Sequence, residues 1–71
     1  MFMSMGKEGS DVRALQEMLQ QLGFFDGNVT GKYEETTKAG VARFQKENRI
    51  HPNGIADERT LMILAMRCAT V

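Results

Sequence analysis

Few side chains in this 71-residue sequence have catalytic potential: His51, the adjacent pair Glu34 and Glu35, and Cys68. General acid–base or nucleophilic work needs such a group held within hydrogen-bond reach of a partner. His51 precedes Pro52, with no second histidine and no nearby cysteine to pair with, so it reads as a solvated loop residue. Glu34 and Glu35 are neighbours, and on a helix neighbours point about 100° apart, which suits a helix N-terminus better than paired acid and base work. Cys68 falls in phase with an apolar helical face and reads as a small buried residue. One cysteine and one histidine exclude a disulfide framework and a conventional structural zinc site. The sequence therefore points to no catalytic residue, no metal and no cofactor.

The whole chain argues the same way. Nine basic and nine acidic residues cancel, so no general field draws the chain to nucleic acid or to an anionic membrane, and a ligand must be held by local contacts. That favours a small polar ligand or a protein partner. A chain of this length buries only about 60% of its unfolded surface and supports one small core. Met1 to Met5 is apolar but too short for a signal-peptide core or a membrane span. Residues 1–6 read as a disordered or added N-terminus, 7–68 as the domain and 69–71 as a C-terminal tail.

Helical periodicity supplies the framework. Val12, Leu15, Leu19 and Leu22 recur at spacings of three and four, predicting a first helix from about Asp11 to Leu22, with Ser10 or Asp11 as its cap and Gly23 as its stop. Phe24 to Thr30 carries Asp26-Gly27-Asn28, which is turn chemistry. From about Glu34 the period resumes through Thr37, Val41, Phe44 and Asn48. Gly40 lies inside this helix at a cost of about 1 kcal/mol relative to alanine, which suggests close approach of a neighbouring helix. Pro52-Asn53-Gly54 marks a second turn. Asp57 then caps a third helix whose apolar face holds Leu61, Leu64, Ala65 and Cys68. The fold class is all-α: a compact three-helix bundle with two glycine-containing loops.

The chain also repeats itself. Val12, Leu15 and Gln16 match Val41, Phe44 and Gln45, while Gly31, Thr37 and Val41 match Gly54, Thr60 and Leu64 at offsets of six and four. Each unit reads as helix, glycine turn with positive φ, and a threonine whose hydroxyl binds a free helix-end group. Gln16 and Gln45 sit at the edge of their apolar faces, where they satisfy loop backbone rather than touch a ligand.

Gly9 to Gln16, Leu22 to Gly27, Val29 to Tyr33, Thr37 to Val41, Arg43 to Gln45, Asn53 to Asp57 and Thr60-Leu61 together resemble the peptidoglycan-binding domain family, in its order and spacing, from about Lys7 to Leu64. The chain departs from it at Gly40, where alanine is usual, and at Glu34-Glu35-Thr36, where a glycine-containing turn is usual. The resemblance implies a non-catalytic module that attaches a larger protein, such as a cell-wall hydrolase or phage lysin, to bacterial peptidoglycan, and so a cell-envelope or extracellular place. It implies as partners peptidoglycan, by glycan or stem peptide, and a covalently linked catalytic domain, with the module itself a monomer. The same unit occurs in matrix metalloproteinase propeptides, where a Pro-Arg-Cys-Gly segment supplies a thiolate to zinc. Arg67-Cys68 lies at a comparable place, but Met66 and Ala69 replace the proline and glycine.

For such a ligand, short polar side chains and exposed backbone around one or two aromatics are the required chemistry. Phe25, Asp26 and Asn28 in the first loop, Lys32 and Tyr33 at the entry to the second helix, and Arg43, if it faces the same groove, form the expected ligand-binding set. Phe24 and Phe44 are assigned to the core, with Tyr33 open between core and site. Met18, Met62 and Met66 read as core or margin filler. The alternative reading is a protein-docking or autoinhibitory domain on the same scaffold, which fold analogy alone does not separate from wall binding.

Overall fold

Val12, Leu15 and Leu19 are completely buried, so the first helix, α1 (Ser10–Gln21), turns one continuous apolar stripe inward. Val41 and Phe44 do the same for α2 (Glu35–Glu47), and Leu64 for α3 (Glu58–Ala69). The computed structural model describes residues 2–70; Met1 and Val71, the outermost residues of the expected end segments, lie outside them. α1 packs against both other helices. The three-helix bundle matches the sequence expectation, and β-type pairing among the described residues is limited to two isolated antiparallel bridges, Met3 with Ala56 and Glu8 with Lys32.

The helix ends follow local chemistry, with one correction. Gly9, at φ 130°, occupies the cap of α1 and no side chain bonds the first turn; Ser10 and Asp11 are already inside the helix, so neither caps it. At the other end Gly23 takes φ +86° and the Phe24 N–H donates to the Leu19 carbonyl at 2.8 Å, closing the helix as expected. α2 ends before Pro52: the Asn48 side chain donates to the Phe44 carbonyl at 2.8 Å and Arg49 adopts φ 60°. Asp57 caps α3, its carboxylate accepting from the Thr60 N–H at 2.9 Å.

Residues 2–6, expected as part of a disordered or added N-terminus, run along the bundle. Met3 is buried in the core and exchanges two backbone hydrogen bonds with Ala56, both 2.8 Å, while Gly6 donates to the Tyr33 carbonyl at 3.0 Å. The physical reason is that the loops before α2 and α3 each expose unpaired backbone groups, and one extended N-terminal segment satisfies both. At the other end of the chain, Ala69 belongs to α3 and Thr70 forms its C-cap.

Gly40 supports a close approach, although the neighbour is a loop. A Cβ there would lie 2.5 Å from the Phe24 carbonyl oxygen and 3.6 Å from Leu19 Cδ1, so the chain leaving α1 rests directly on α2. This contact fixes the first loop, 22–34, against the bundle.

Candidate functional site

The first loop is held from beneath by one buried amide. Gln16 is 1% exposed; its Oε1 accepts from the Thr30 N–H at 3.0 Å and the Gly31 N–H at 2.9 Å, and its Nε2 donates to the Lys32 carbonyl and the Thr37 hydroxyl, both at 2.9 Å. Gln45 does the same for the second loop: Oε1 accepts from the Gly54 N–H at 2.9 Å, and Nε2 donates to the Ile55 carbonyl at 2.8 Å and the Thr60 hydroxyl at 3.0 Å. The repeated glutamine, glycine and threonine are thus one hydrogen-bonded unit, built twice. The threonine hydroxyls accept from the glutamine amide, and Gly31 and Gly54 adopt φ +80° and +76° so that the turn presents its N–H inward.

The two units differ in what they carry between glutamine and glycine. The path from Gln16 to Gly31 is 15 residues and that from Gln45 to Gly54 is 9. Of the six extra residues, three lengthen α1 and three lengthen the loop. The second unit makes the same bonds without them, so the longer loop is not demanded by the scaffold.

That loop and the start of α2 enclose a cleft of about 150 Å³. Its walls are Phe25, Asn28, Thr30, Lys32, Glu34 and Thr36, with Gln16 and Thr37 below. Lys32 and Glu34 also border a neighbouring cleft of about 110 Å³, beside Gly6, Lys7, Glu8 and Tyr33. Amide, hydroxyl, ammonium and carboxylate groups therefore meet over a small area, an arrangement that orients a polar ligand by hydrogen bonds and charge.

Of the expected set, Phe25, Asn28 and Lys32 line the first cleft and Tyr33 the second. Phe25 and Tyr33 are 5% and 1% exposed, so both are core side chains and neither offers a free ring face. Tyr33 donates its hydroxyl to the Gly54 carbonyl at 2.6 Å, tying the two turns together, and burial pushes its pKa up to about 12, partly offset by the Ala56 backbone. Arg43 does not face the cleft: its guanidinium stands 5.7 Å above the Phe24 ring, which in turn meets Phe44 edge-on at 5.5 Å. Asp26 is exposed and lies outside the cleft walls. Sequence reasoning missed Thr30 and Thr36 and gave Glu34 only a helix-end role; the length difference between the two repeats was the available signal.

Cys68 is half-buried in α3, its thiol directed at the Met18 carbonyl at 3.7 Å, and burial raises its pKa. Among the described residues no cluster of three or more histidine, cysteine, aspartate or glutamate side chains is placed to hold a metal ion.

Residues 8–64 match the family model of the peptidoglycan binding domain. Among solved structures, the SleB N-terminal domain is 28% identical with a TM-score of 0.93, over 96% of this chain and 93% of that one. A fused Zn-dependent amidase/peptidase/peptidoglycan-binding domain-containing protein from Clostridium acetobutylicum is 28% identical with a TM-score of 0.85, over 90% of this chain and 28% of that one. A Burkholderia phage endolysin is 28% identical with a TM-score of 0.86, over 90% and 24%. The chain thus spans nearly all of the SleB domain and about a quarter of each of the other two. No curated protein matches the sequence.

Proposed function

Because the chain belongs to the peptidoglycan-binding domain family over residues 8–64, we propose that it is a non-catalytic module that attaches a larger protein to bacterial peptidoglycan in the cell envelope or outside the cell. The match over most of the chain, joined to near-complete overlap with the SleB N-terminal domain, is the observation that carries this reading. The larger protein is a cell-wall hydrolase, by analogy with the amidase/peptidase and endolysin in which the same unit fills about a quarter of the chain. The module acts as a monomer. Its contact surface is the cleft between the first loop and α2, where Asn28, Thr30, Lys32, Glu34 and Thr36 converge, with Asp26 on the same exposed loop.

Phe25 and Tyr33 support that surface from the core, and Arg43 buttresses the loop through Phe24. Sedimentation with purified insoluble peptidoglycan at low salt tests the proposal. The folded chain is expected in the pellet; a chain that stays in the supernatant leaves the docking reading in its place.

A further inference from the structure

We propose that the cleft of the first unit takes a charged end of the stem peptide rather than the sugar chain, with the Lys32 ammonium on a carboxylate and Glu34 beside the ligand's ammonium. This rests on the wall-binding reading above and names the part of the polymer that is recognised.

Three observations carry it. First, size: about 150 Å³ is well below the roughly 300–1,000 Å³ of a pocket that engulfs a whole ligand, so the cleft receives one end group of amino-acid size rather than a disaccharide. Second, neither cleft offers a free aromatic face. Sugar rings pack well on exposed aromatic faces, yet Phe25 and Tyr33 are buried, the Phe24 ring lies under Arg43, and the exposed Phe2 borders a different hollow with Asp57 and Arg59. Third, charge: Lys32 and Glu34 share the rim of both adjoining clefts, with Lys7 and Glu8 on the far side of the smaller one. The sugar backbone of peptidoglycan offers mainly neutral hydroxyl and acetamido groups, whereas its stem peptides carry free carboxylates and, at a diamino residue, a free ammonium. Paired opposite charges reward the second ligand, because hydrogen bonds to ionised groups are roughly twice as strong as neutral ones.

The internal repeat separates Lys32 from the scaffold. At the positions of Lys32, Glu34 and Thr36 the second unit has Ile55, Asp57 and Arg59, counted from its own glycine. Gln45 still makes its glutamine-type bonds there, so a lysine at the first position is not needed to form the turn. The Lys32 side chain is exposed, and its backbone carbonyl alone serves Gln16.

The experiment is sedimentation of the chain with intact sacculi in the presence of soluble competitors at equal concentration: free stem tetrapeptide, or bare glycan in the form of uncharged N-acetylglucosamine oligomers. The tetrapeptide is expected to reduce the bound fraction at least severalfold, while bare glycan leaves it unchanged. Lys32→Gln is expected to bind sacculi about tenfold more weakly with an unchanged urea midpoint, and Lys32→Arg to retain binding. Release by bare glycan, release by neither competitor, or full binding by Lys32→Gln overturns the proposal while leaving wall binding intact. Failure of the unaltered chain to bind intact sacculi overturns both.

Discussion

The side-chain amide of Gln16 donates to the hydroxyl of Thr37 at 2.9 Å across 21 residues of sequence, and Gln45 repeats the bond to Thr60 at 3.0 Å across 15. All four side chains are at most 1% exposed. In each unit the same amide also satisfies the glycine turn, so a single buried side chain fixes both where the loop runs and where the next helix begins. No buried side-chain nitrogen or oxygen among the described residues lacks a hydrogen-bond partner, which is what a small core containing four polar groups requires.

Gln16→Leu is therefore expected to be strongly destabilising. It leaves the Thr30 and Gly31 N–H groups, the Lys32 carbonyl and the Thr37 hydroxyl without their partner, and each unsatisfied buried group costs about 1–3 kcal/mol. Partial access of water to the loop brings the total to about 3 kcal/mol, read as a lower urea midpoint at unchanged slope. Gln16→Glu also loses stability, because a carboxylate cannot donate to the Lys32 carbonyl.

Gly40→Ala sets two effects against each other. Alanine gains about 1 kcal/mol of helix propensity, but its Cβ would lie 2.5 Å from a backbone oxygen of Phe24, and overpacking of this kind costs roughly 1–3 kcal/mol. The clash is with backbone, which yields less readily than a side chain, so a net loss of about 1 kcal/mol is expected by urea denaturation. A gain in stability would show that the first loop moves freely against α2.

Two groups give the stability its pH edges. Hydrogen bonds from the Thr60 backbone and hydroxyl hold Asp57 below the usual carboxylate range. A depressed folded pKa contributes stability that is present above the unfolded value of about 3.9 and is lost as pH falls through the folded one. Tyr33 works at the other end: its pKa is raised to about 12, so its contribution is complete below the unfolded value of about 10 and disappears as pH rises toward 12. Thermal melts should show the acid edge soften in Asp57→Asn. At neutral pH, Asp57→Ala should cost about 1 kcal/mol through the lost cap.

Tyr33→Phe isolates the tie between the two turns. It removes the 2.6 Å bond to the Gly54 carbonyl while keeping the ring, and a net loss of about 1 kcal/mol is expected. The alkaline edge of stability should then disappear, which a melt series from pH 9 to about pH 12 detects.

The helices were legible because Val12, Leu15, Leu19, Val41, Phe44 and Leu64 mark the 3.6-residue period directly, and the stop at Gly23 and cap at Asp57 follow from single-residue chemistry. The repeated glutamine, glycine and threonine were also visible, but as two separate patterns. Their union is a long-range hydrogen-bonded contact, and periodicity carries no information about which loop returns to which helix. Met3 escaped notice because one buried residue in an extended segment has no period to display. Phe25 and Tyr33 looked like ligand contacts because loop residues have no helical phase from which to read burial. For Arg43 the spacing placed it beside Phe44 without telling that Phe24 folds back to meet it.

The most direct test of the wall-binding cleft is amide chemical-shift mapping of the ¹⁵N-labelled chain as solubilised peptidoglycan fragments are added. The largest shifts are expected between Phe25 and Thr37, led by Asn28, Lys32 and Thr36. Shifts centred instead on Met62, Met66 and Arg67 of α3, where two methionines stand 61% and 60% exposed, or no shifts at all, would contradict it.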